Sequence, residues 1–370
     1  MKSVEKAMRK EKLRLRLRDA EFHEPVEQHH LYLPTDTHWR IVGVIPGTAG
    51  AMQSAAKCPI LVQFKCVPRN TEDSQAALRK RKEAAPADTE TTMKACIFKM
   101  GDDCRQDQIA LQIIGLFERI FNVIQVPSYL YPYRVVTTGK DSGVIECVPR
   151  AMSRDQIGKL VESNLAEYFV QTYGHPESVT FHRARECFIR SMASYSVASF
   201  VLNIKDRHNG NLMIDADGHL VHIDFGFLFD LSPGGDINFE SSPFKLTAEM
   251  VQLMGSPVGR GKGTVQSHSL SKALVDPEAY NLYRDLTVRC YLAVRQYARQ
   301  ICILVELMLG SGLPSFKPRR TIQDLAWRLS MQKSEVEAAE FMLRRIAESR
   351  ENLRTVLYDR YQNLAEGIEM

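Results

Sequence analysis

Three polar side chains between positions 206 and 224 have the types and the spacing that suit a phosphate bound with a metal ion. Asp206 and Asn211 are five residues apart, and Asp224 opens an Asp-Phe-Gly triplet thirteen residues after Asn211. Carboxylate and amide oxygens are ligands that Mg²⁺ accepts beside phosphate and water oxygens. The spacing therefore predicts a metal site formed by Asn211 and Asp224, with Asp206 as a candidate acid–base group.

The residues between Asn211 and Asp224 predict how these side chains come together. Residues 212–214 and 219–223 are strand-like, and residues 215–218 between them contain an Asp-Gly turn signal. Such a turn joins two short antiparallel strands into a tight hairpin. We therefore expect a hairpin that returns Asp224 to the neighbourhood of Asn211.

The same segment is similar to the catalytic segment of known kinases. Protein kinases use Asp-x-x-x-x-Asn followed by Asp-Phe-Gly to supply a catalytic aspartate and two metal ligands. Here Asp206-Arg207-His208 stands where those enzymes have His-Arg-Asp. This order, within D-R-H-N-x-N, resembles the phosphatidylinositol 3- and 4-kinase superfamily. The resemblance implies ATP as the phosphate donor and Mg²⁺, or Mn²⁺ in its place, as the metal.

The resemblance gives Asp206 and His208 the catalytic roles. A lone histidine in a loop is more often a packed or capping residue, but histidine also titrates near neutral pH and suits proton transfer. We expect His208 either to accept the proton of an inositol hydroxyl or to stabilise the transferring phosphate. Asp206 would then orient His208 or share the role of base.

A lysine upstream is the candidate for binding the ATP phosphates. Residues 95–107 read A-C-I-F-K-M-G-D-D-C-R-Q-D and resemble the family motif K-x-G-D-D-x-R-Q-D. A lysine within an apolar strand is costly unless its charge is used. Lys99 is therefore assigned to the phosphates. The resemblance implies that Asp107 and Tyr133 line the same pocket and help to hold Lys99.

Two further stretches match nucleotide-binding positions of the family. Residues 51–59 stand at the phosphate loop, where the family uses small residues and a lysine, and residues 143–148 resemble the hinge strand between lobes. A buried strand alone would also explain the second stretch. The resemblance implies that the phosphates are covered by Ser54, Ala55, Ala56 and Lys57, and that adenine bonds to the main chain near Glu146 and Val148.

The stretch from Phe227 to Glu249 corresponds to the loop that reads the lipid head group in this superfamily. It contains one cation, Lys245, and four carboxylates. Proteins hold phosphorylated groups with clustered Arg or Lys, so this loop fits phosphatidylinositol itself, with Lys245 as the candidate lipid contact. The wording S-P-G-G at 232–235 and P-F-K-L-T at 243–247 looks like type III phosphatidylinositol 4-kinases, the alpha class most.

The apolar pattern divides the chain into a strand-rich half and a helix-rich half. Strands are predicted at 39–45, 59–67, 95–100, 129–137 and 143–148, and helices at 103–125, 178–204, 277–309 and 333–348. We expect an α+β, two-lobed protein-kinase-like fold with a strand-rich first lobe and a mostly helical second lobe. Its predicted parts are a basic arm at 1–29, a first lobe with the hinge at 30–148 and a second lobe at 149–370, with a flexible insertion at about 256–276.

Composition and charge exclude several classes of protein. The chain of 370 residues is 44% apolar and 25% charged, as in ordinary globular proteins. Residues 1–20 hold eight Lys/Arg and three Asp/Glu, so the net charge of +4 lies in this arm and the fold offers no broad basic surface for nucleic acid. We expect the arm to be a solvated helix or an unfolded start, with contact to anionic lipid as the alternative. Eight scattered cysteines without zinc spacing, and the lack of a long apolar run, predict an intracellular chain with no membrane span.

Together these patterns predict a lipid kinase that transfers the γ-phosphate of ATP to the 4-hydroxyl of phosphatidylinositol. A phosphatidylinositol 3-kinase, a related protein kinase and an inactive or truncated kinase-like scaffold are the alternatives. We expect a cytoplasmic protein that binds membranes peripherally, by resemblance the plasma membrane. Its expected partners are phosphatidylinositol in a membrane surface and adaptor proteins that target it there, and no nucleic acid.

Overall fold

A computed structural model describes residues 5, 8–52, 58–69, 91–161, 164–233, 242–255, 274–351, 363 and 368. The chain forms two compact units. The first comprises residues 1–108 and 133–149, and the second comprises residues 109–132 and 150–370. The predicted α+β class, with an antiparallel sheet in the first part and mostly helices in the second, is confirmed.

The first unit is built on a six-stranded antiparallel sheet. Its strands are β1 Tyr32–Leu33, β2 Asp36–Ala51, β3 Ile60–Pro68, β4 Thr92–Met100, β5 Val135–Gly139 and β6 Ser142–Glu146, in the order β1-β2-β3-β4-β6-β5. In β4 the buried Cys96 pairs with Val62 of β3 and with Glu146 of β6. Because β3 and β4 each pair with a neighbour on both sides, their main-chain groups can form ladder bonds in both directions. The β-branched residues in these strands favour the extended conformation.

Helix α1, Arg9–Arg16, which precedes the short helix α2 Glu24–Gln28, packs on this sheet. Leu13 and Leu17 are buried in a cluster with Ala49 and Val62, and the Nε of Arg14 donates to the Ala49 carbonyl oxygen at 3.1 Å. The expectation of a plain solvated or unfolded arm is therefore wrong for this helix. Six cations among positions 9–18 make this segment look polar in the sequence. Leu13 and Leu17 are four residues apart, however, and therefore share one helical face.

The second unit consists mainly of helices around one long, buried helix. Its helices are the end of α3 Arg105–Ile124, then α4 Arg154–Val161, α5 Leu165–Tyr173, α6 Val179–Leu202, α7 Ala248–Leu253, α8 Pro277–Gln296, α9 Ala298–Met308, α10 Arg320–Arg328 and α11 Glu335–Glu351. Helix α6 begins at a capping Ser178, whose side chain accepts from the Phe181 N–H, and is buried on nearly every side from Phe188 onward. A helix buried all round must form the centre of its unit.

Two predicted elements differ from the structure. Only β5 forms within the predicted strand 129–137, because the N–H groups of Tyr129 and Tyr131 donate instead to the side chains of Ser194 and Tyr195 on α6. The predicted helix 277–309 is interrupted at Tyr297, which separates α8 from α9. The first difference arises from tertiary packing, which local periodicity does not report.

The predicted insertion lies largely outside the described residues. Its two ends meet, because the Asp276 N–H donates to the Gly255 carbonyl oxygen at 2.8 Å. Asp276 then caps α8 by accepting from the Ala279 N–H, and it forms an ion pair with Arg185 of α6. The predicted capping box at 333–348 is confirmed, since Ser334 and Glu337 exchange hydrogen bonds at the start of α11. None of the helices described here is long and apolar enough to cross a membrane.

The predicted hairpin is confirmed. Strands β8 Leu212–Asp215 and β9 Leu220–His222 pair with Leu212 opposite His222, and β7 Ala151–Ser153 flanks β8. The turn requires Gly218, which has φ +94° and whose missing Cβ would lie 2.8 Å from the Ala184 carbonyl oxygen of α6. The turn of the hairpin thus packs against the central helix α6.

A half-buried ion pair closes the tip of this hairpin. The Nδ1 of His219 lies 3.0 Å from Asp215 Oδ2, and the His219 ring stacks on Tyr129 with centroids 3.7 Å apart. Burial alone would lower the pKa of His219, but hydrogen bonds to Asp215 and Cys187 raise the pKa to about 9. His219 is therefore a cation at neutral pH and stabilises the fold in that form.

We predict that this pair makes stability fall as the solution becomes alkaline. A raised folded-state pKa gives a contribution that is complete below pH 6.5 and is lost as pH rises through about 9. Replacing His219→Gln should remove about 1–3 kcal/mol of stability at pH 6, and the variant should lose less than wild type between pH 7 and 10. Urea unfolding at several pH values measures this. The exposed His38→Gln is the matched control, and parallel curves for wild type and His219→Gln would contradict the prediction.

Candidate active site

The catalytic loop runs from the end of α6 to β8 and has an unusual backbone. Asn203 caps α6 in the left-handed conformation, and Asp206 has φ +64°. Asp224, in the Asp-Phe-Gly triplet, has φ +60°. Non-glycine residues with positive φ are uncommon and cluster at functional sites, where the surrounding structure must hold them. Both carboxylates that the sequence singled out thus occupy strained positions.

Arg207 holds these two segments together. Its guanidinium donates to the carbonyl oxygens of Lys205 at 3.0 Å, Ile223 at 2.7 Å and Asp224, and it lies 5.5 Å from the ring centre of Phe225. The residue is 1% exposed. A planar guanidinium with five donors and no acceptor is suited to binding several carbonyls at once. The catalytic loop and the Asp-Phe-Gly segment are therefore joined by one side chain.

Asn211 and Asp224 are brought together as predicted. The Asn211 main chain accepts from the Ile223 N–H at 3.1 Å, so the residue before Asp224 is bonded to Asn211 itself. The Asn211 Nδ2 donates to the Asp206 carbonyl oxygen at 2.9 Å. With the amide nitrogen used in this way, its Oδ1 is the atom that can bind a cation. An amide oxygen and a carboxylate at neighbouring positions are a donor set that Mg²⁺ and Mn²⁺ both accept.

His208 caps the short 3₁₀ helix Asn209–Asn211. Its Nδ1 accepts from the Gly210 N–H at 3.1 Å, and its Nε2 lies 3.9 Å from Asp206 Oδ2. An imidazole whose Nδ1 accepts a hydrogen bond carries its proton on Nε2 when neutral. In this arrangement the ring is a donor through Nε2. Gly210 permits the contact, since a Cβ there would lie 2.9 Å from His208 Cε1.

The stretch 227–249, which we call the substrate loop after its predicted role, is anchored at both ends by buried polar contacts. At its start, Asp230 accepts from Thr321 Oγ1 and from the Lys317 N–H, at the beginning of α10. At its end, Glu249 receives a bidentate hydrogen bond from Arg154 and a third bond from the Leu165 N–H. Burial would raise the pKa of Glu249, but Arg154 lowers it, so the carboxylate is charged.

Lys245 lies in the interior of the second unit. It is 3% exposed, and its Nζ donates to Asn209 Oδ1 at 3.2 Å. Lys205 makes the reverse connection, because its Nζ donates to the Ser242 carbonyl oxygen at 3.2 Å. Lys245 therefore bonds to the catalytic loop, and its contact with a lipid stays a prediction that this placement does not favour.

His222 lies behind the catalytic loop. It stacks on Tyr195 with centroids 4.6 Å apart, and its Nδ1 is 3.5 Å from Ser199 Oγ. Burial, followed by the charges of Arg207 and Lys245, lowers the pKa of His222 well below its usual value. The ring is therefore neutral and acts as packing for the hairpin. The positive charges of Arg207 and Lys245 disfavour a third positive charge at this position.

In the first unit, Lys99 lies on β4 opposite Gly143 of β6. Its Nζ is 3.5 Å from Asp102 Oδ2, an ion pair that the sequence did not assign. Asp107 and Tyr133 are both buried. Burial raises the pKa of the Cys104 thiol to about 11, and the charges acting on this thiol include Lys99 and Asp107.

The two predicted nucleotide stretches are partly described. Ser54, Ala55, Ala56 and Lys57 lie outside the described residues, but the strands on either side are joined by the Met52 N–H, which donates to the Pro59 carbonyl oxygen at 2.8 Å. In the hinge, the Glu146 N–H donates to the Arg134 carbonyl oxygen at 2.9 Å. Any contact of the Glu146 main chain with adenine would therefore use its carbonyl oxygen, and the contact of the Val148 main chain with adenine stays a prediction.

The sequence reading missed three residues that hold the loop. Arg207, Lys205 and Asn209 were not assigned roles, and all three are buried. A signal was available, since the charges of Lys205 and Arg207 in this loop, and of Lys245 in the later loop, must be paired internally or exposed to solvent. Which choice the chain makes depends on contacts between residues 36 or more positions apart, and local pattern does not report these.

Comparisons with known proteins agree with this arrangement. The family model for phosphatidylinositol 3- and 4-kinases matches residues 94–318. The chain is 41% identical over 345 residues to phosphatidylinositol 4-kinase stt4 of Schizosaccharomyces pombe, covering 91% of this chain and 17% of that protein. It is 40% identical over 338 residues to STT4 of Saccharomyces cerevisiae, covering 91% and 16%. It is 41% identical over 339 residues to phosphatidylinositol 4-kinase alpha 1 of Arabidopsis thaliana, covering 92% and 15%.

The chain spans between 15% and 17% of the length of these three relatives. The resemblance to the superfamily, and within it to 4-kinases of the alpha class, is confirmed by their names and by the extent of the match. The family model covers more than half of the chain and includes the catalytic loop, the hairpin and the Asp-Phe-Gly segment. The chain belongs to the phosphatidylinositol 3- and 4-kinase family.

Proposed function

We propose that this chain transfers the γ-phosphate of ATP to the 4-hydroxyl of phosphatidylinositol. The observation that carries the proposal is the joining of Asp206, His208, Asn211 and Asp224 at the base of one hairpin by Arg207 and by main-chain bonds. Phosphoryl transfer requires a group that accepts the hydroxyl proton, a group that donates a hydrogen bond to the phosphate, and metal ligands. These residues can supply all three. The names of the relatives support phosphatidylinositol as the acceptor and its 4-position as the site.

The chain offers oxygen ligands for a metal ion beside the phosphates. Asn211 Oδ1 and the Asp224 carboxylate would hold Mg²⁺, with Mn²⁺ as the alternative. When bound, the ion neutralises charge on the β- and γ-phosphates. Lys99 would contact the phosphates, and its half-buried position and nearby carboxylate support this role. Asp107 and Tyr133 would line the pocket, residues 54–57 would cover the phosphates, and Glu146 and Val148 would bind adenine.

The orientation of His208 suggests how the two catalytic residues divide the work. A bond forms between the inositol 4-oxygen and the γ-phosphorus, the bond to the ADP oxygen breaks, and the hydroxyl proton must go to a base. His208 presents an N–H through Nε2 because Nδ1 accepts from Gly210, so we assign the proton to the Asp206 carboxylate. His208 would then donate to the transferring phosphate.

The charge of the substrate loop supports an acceptor without ring phosphates. Residues 227–249 contain Lys245 as their one cation, and its ammonium bonds to Asn209 in the interior. A phosphorylated head group would be held by clustered Arg or Lys. Phosphatidylinositol, whose ring carries neutral hydroxyls, is the better match.

The proposed lipid acceptor implies that the reaction takes place at a membrane surface. Phosphatidylinositol resides in a bilayer, so the chain would meet it as a peripheral protein, with the plasma membrane as the proposed site and adaptor proteins as the proposed targeting partners. The relatives are several times longer than the matched region. Targeting is therefore expected to involve contacts beyond the catalytic groups described above.

We predict that the purified chain with Mg-ATP converts phosphatidylinositol in vesicles to the 4-phosphate and that Asp224→Asn lowers kcat by about 100-fold or more. The variant keeps the shape of the side chain and removes its charge. The matched control is Asp285→Asn, which changes an exposed carboxylate on α8 and should leave kcat unchanged. The product is resolved by chromatography of the deacylated lipid. A 3-phosphate product would assign the chain to the sister activity, and equal rates for wild type and Asp224→Asn would contradict the metal site.

We also predict that Gly210→Ala lowers kcat by about 10- to 100-fold, because a displacement of about 1 Å at a catalytic group has effects of this size. The new Cβ would lie 2.9 Å from His208 Cε1 and would displace the ring. The KM for ATP should not change. Gly310→Ala is the matched control, since a Cβ there meets nothing within 4 Å. Full activity of Gly210→Ala would show that the position of His208 is not required.

A further inference from the structure

Two buried lysines connect the catalytic loop with the end of the substrate loop, one in each direction. Lys205 of the catalytic loop donates from Nζ to the Ser242 carbonyl oxygen at 3.2 Å. Lys245 of the substrate loop donates from Nζ to Asn209 Oδ1 at 3.2 Å. They are 6% and 3% exposed. Reciprocal bonds from two cations fix the relative position of the two segments more firmly than either bond alone.

Burial of a lysine is unfavourable unless polar partners receive its protons. The charge of Lys245 acts on His222, whose pKa burial and Arg207 also lower, and on Glu249, whose pKa Arg154 lowers further. The bond to Asn209 places the Lys245 ammonium against the catalytic loop. A side chain so enclosed has a defined position, which an exposed lysine with four rotatable bonds does not have.

The partner of Lys245 is adjacent to the catalytic histidine. Asn209 follows His208 and opens the 3₁₀ turn Asn209–Asn211, which includes the metal ligand Asn211. The Oδ1 of Asn209 is held by Lys245, so a shift of Lys245 would move the turn from its first residue. Such a shift would change the positions of His208 Nε2 and Asn211 Oδ1 together.

We propose that Lys245 is a positioning residue for the transfer reaction, acting through Asn209, and that it does not bind the lipid head group. Lys205 supports it by holding Ser242, three residues before Lys245, to the same loop. The inference deepens the proposed function, on which its lipid kinetics rest. Its central consequence does not require the lipid, because the positions of His208 and Asn211 also govern transfer of the phosphate from ATP to water.

The test compares Lys245→Met with wild type in two assays, phosphatidylinositol phosphorylation and hydrolysis of ATP without lipid. A positioning role predicts that kcat falls by a similar factor in both, about 10- to 100-fold for loss of a bond to a charged group, with the KM for phosphatidylinositol within about twofold of wild type. A raised lipid KM with unchanged ATP hydrolysis would overturn the proposal in favour of a lipid contact. Lys159→Met, which changes an exposed lysine of α4, is the matched control and should alter neither rate.

A second variant separates positioning from a general loss of folding. Asn209→Leu alone leaves the Lys245 ammonium without this acceptor, whereas Asn209→Leu with Lys245→Met removes both members of the pair, which is often nearly neutral for stability. We expect the double variant to melt at a higher temperature than either single variant and its kcat to be no lower than the worse of the two. Losses that multiply across the two sites would show that they act independently and would overturn the proposal.

The two assays also keep the failure of this inference distinct from the failure of the proposed function. If wild type hydrolyses ATP but phosphorylates no phosphatidylinositol, the proposed acceptor is wrong while the effect of Lys245→Met on hydrolysis still decides the role of Lys245. If wild type phosphorylates the lipid and Lys245→Met does so at the wild-type rate in both assays, the acceptor stands and the positioning role is rejected.

Discussion

One buried guanidinium determines the geometry of the catalytic groups in the second unit. Arg207 binds the carbonyl oxygens of Lys205, Ile223 and Asp224, and these acceptors belong to two segments that are separated by the whole β8–β9 hairpin. A lysine could not replace it, because a single ammonium lacks the planar fork that reaches three acceptors. Since one segment carries the proposed base and the other a proposed metal ligand, the distance between these two functions depends on a side chain that takes no part in the reaction.

The same interaction explains how the loop tolerates its strained backbone. The left-handed conformation costs a non-glycine residue roughly 1–2 kcal/mol, and Asp206 and Asp224 both adopt it. The carbonyl of Asp206 accepts from Asn211 Nδ2, and that of Asp224 accepts from Arg207. Each strained residue is thus bonded through its own carbonyl to a side chain of the same constellation. The strained backbone and the hydrogen bonds that stabilise it thus lie within one small group of residues. Loss of these bonds would allow the backbone at Asp206 and Asp224 to relax.

Sequence could predict this site to the extent that its contacts are local. The hairpin, its turn and the pairing of Asn211 with the residue before Asp224 follow from alternation and an Asp-Gly signal within eighteen residues. The buried contacts of Lys245 and of the basic arm could not be predicted in this way. Lys245 lies 36 residues from Asn209 in sequence, and Leu13 lies far along the chain from Val62. A cation on a polar loop looks like a ligand contact until its partner is known, because burial is a property of tertiary packing.

The use of the loop's cations inside the protein has a consequence for recognition. Lys245 is buried against Asn209 and is not exposed for contact with a head-group phosphate, and the sequence of the substrate loop supplies no second cation. In the proposed reaction, the ring hydroxyls would then be recognised through hydrogen bonds, without a lysine or arginine of this loop. Attraction of the chain to an anionic membrane would come from residues outside this loop. The choice of acceptor would thus be separate from the choice of membrane, so that targeting could change without altering the groups proposed to hold the reacting hydroxyl.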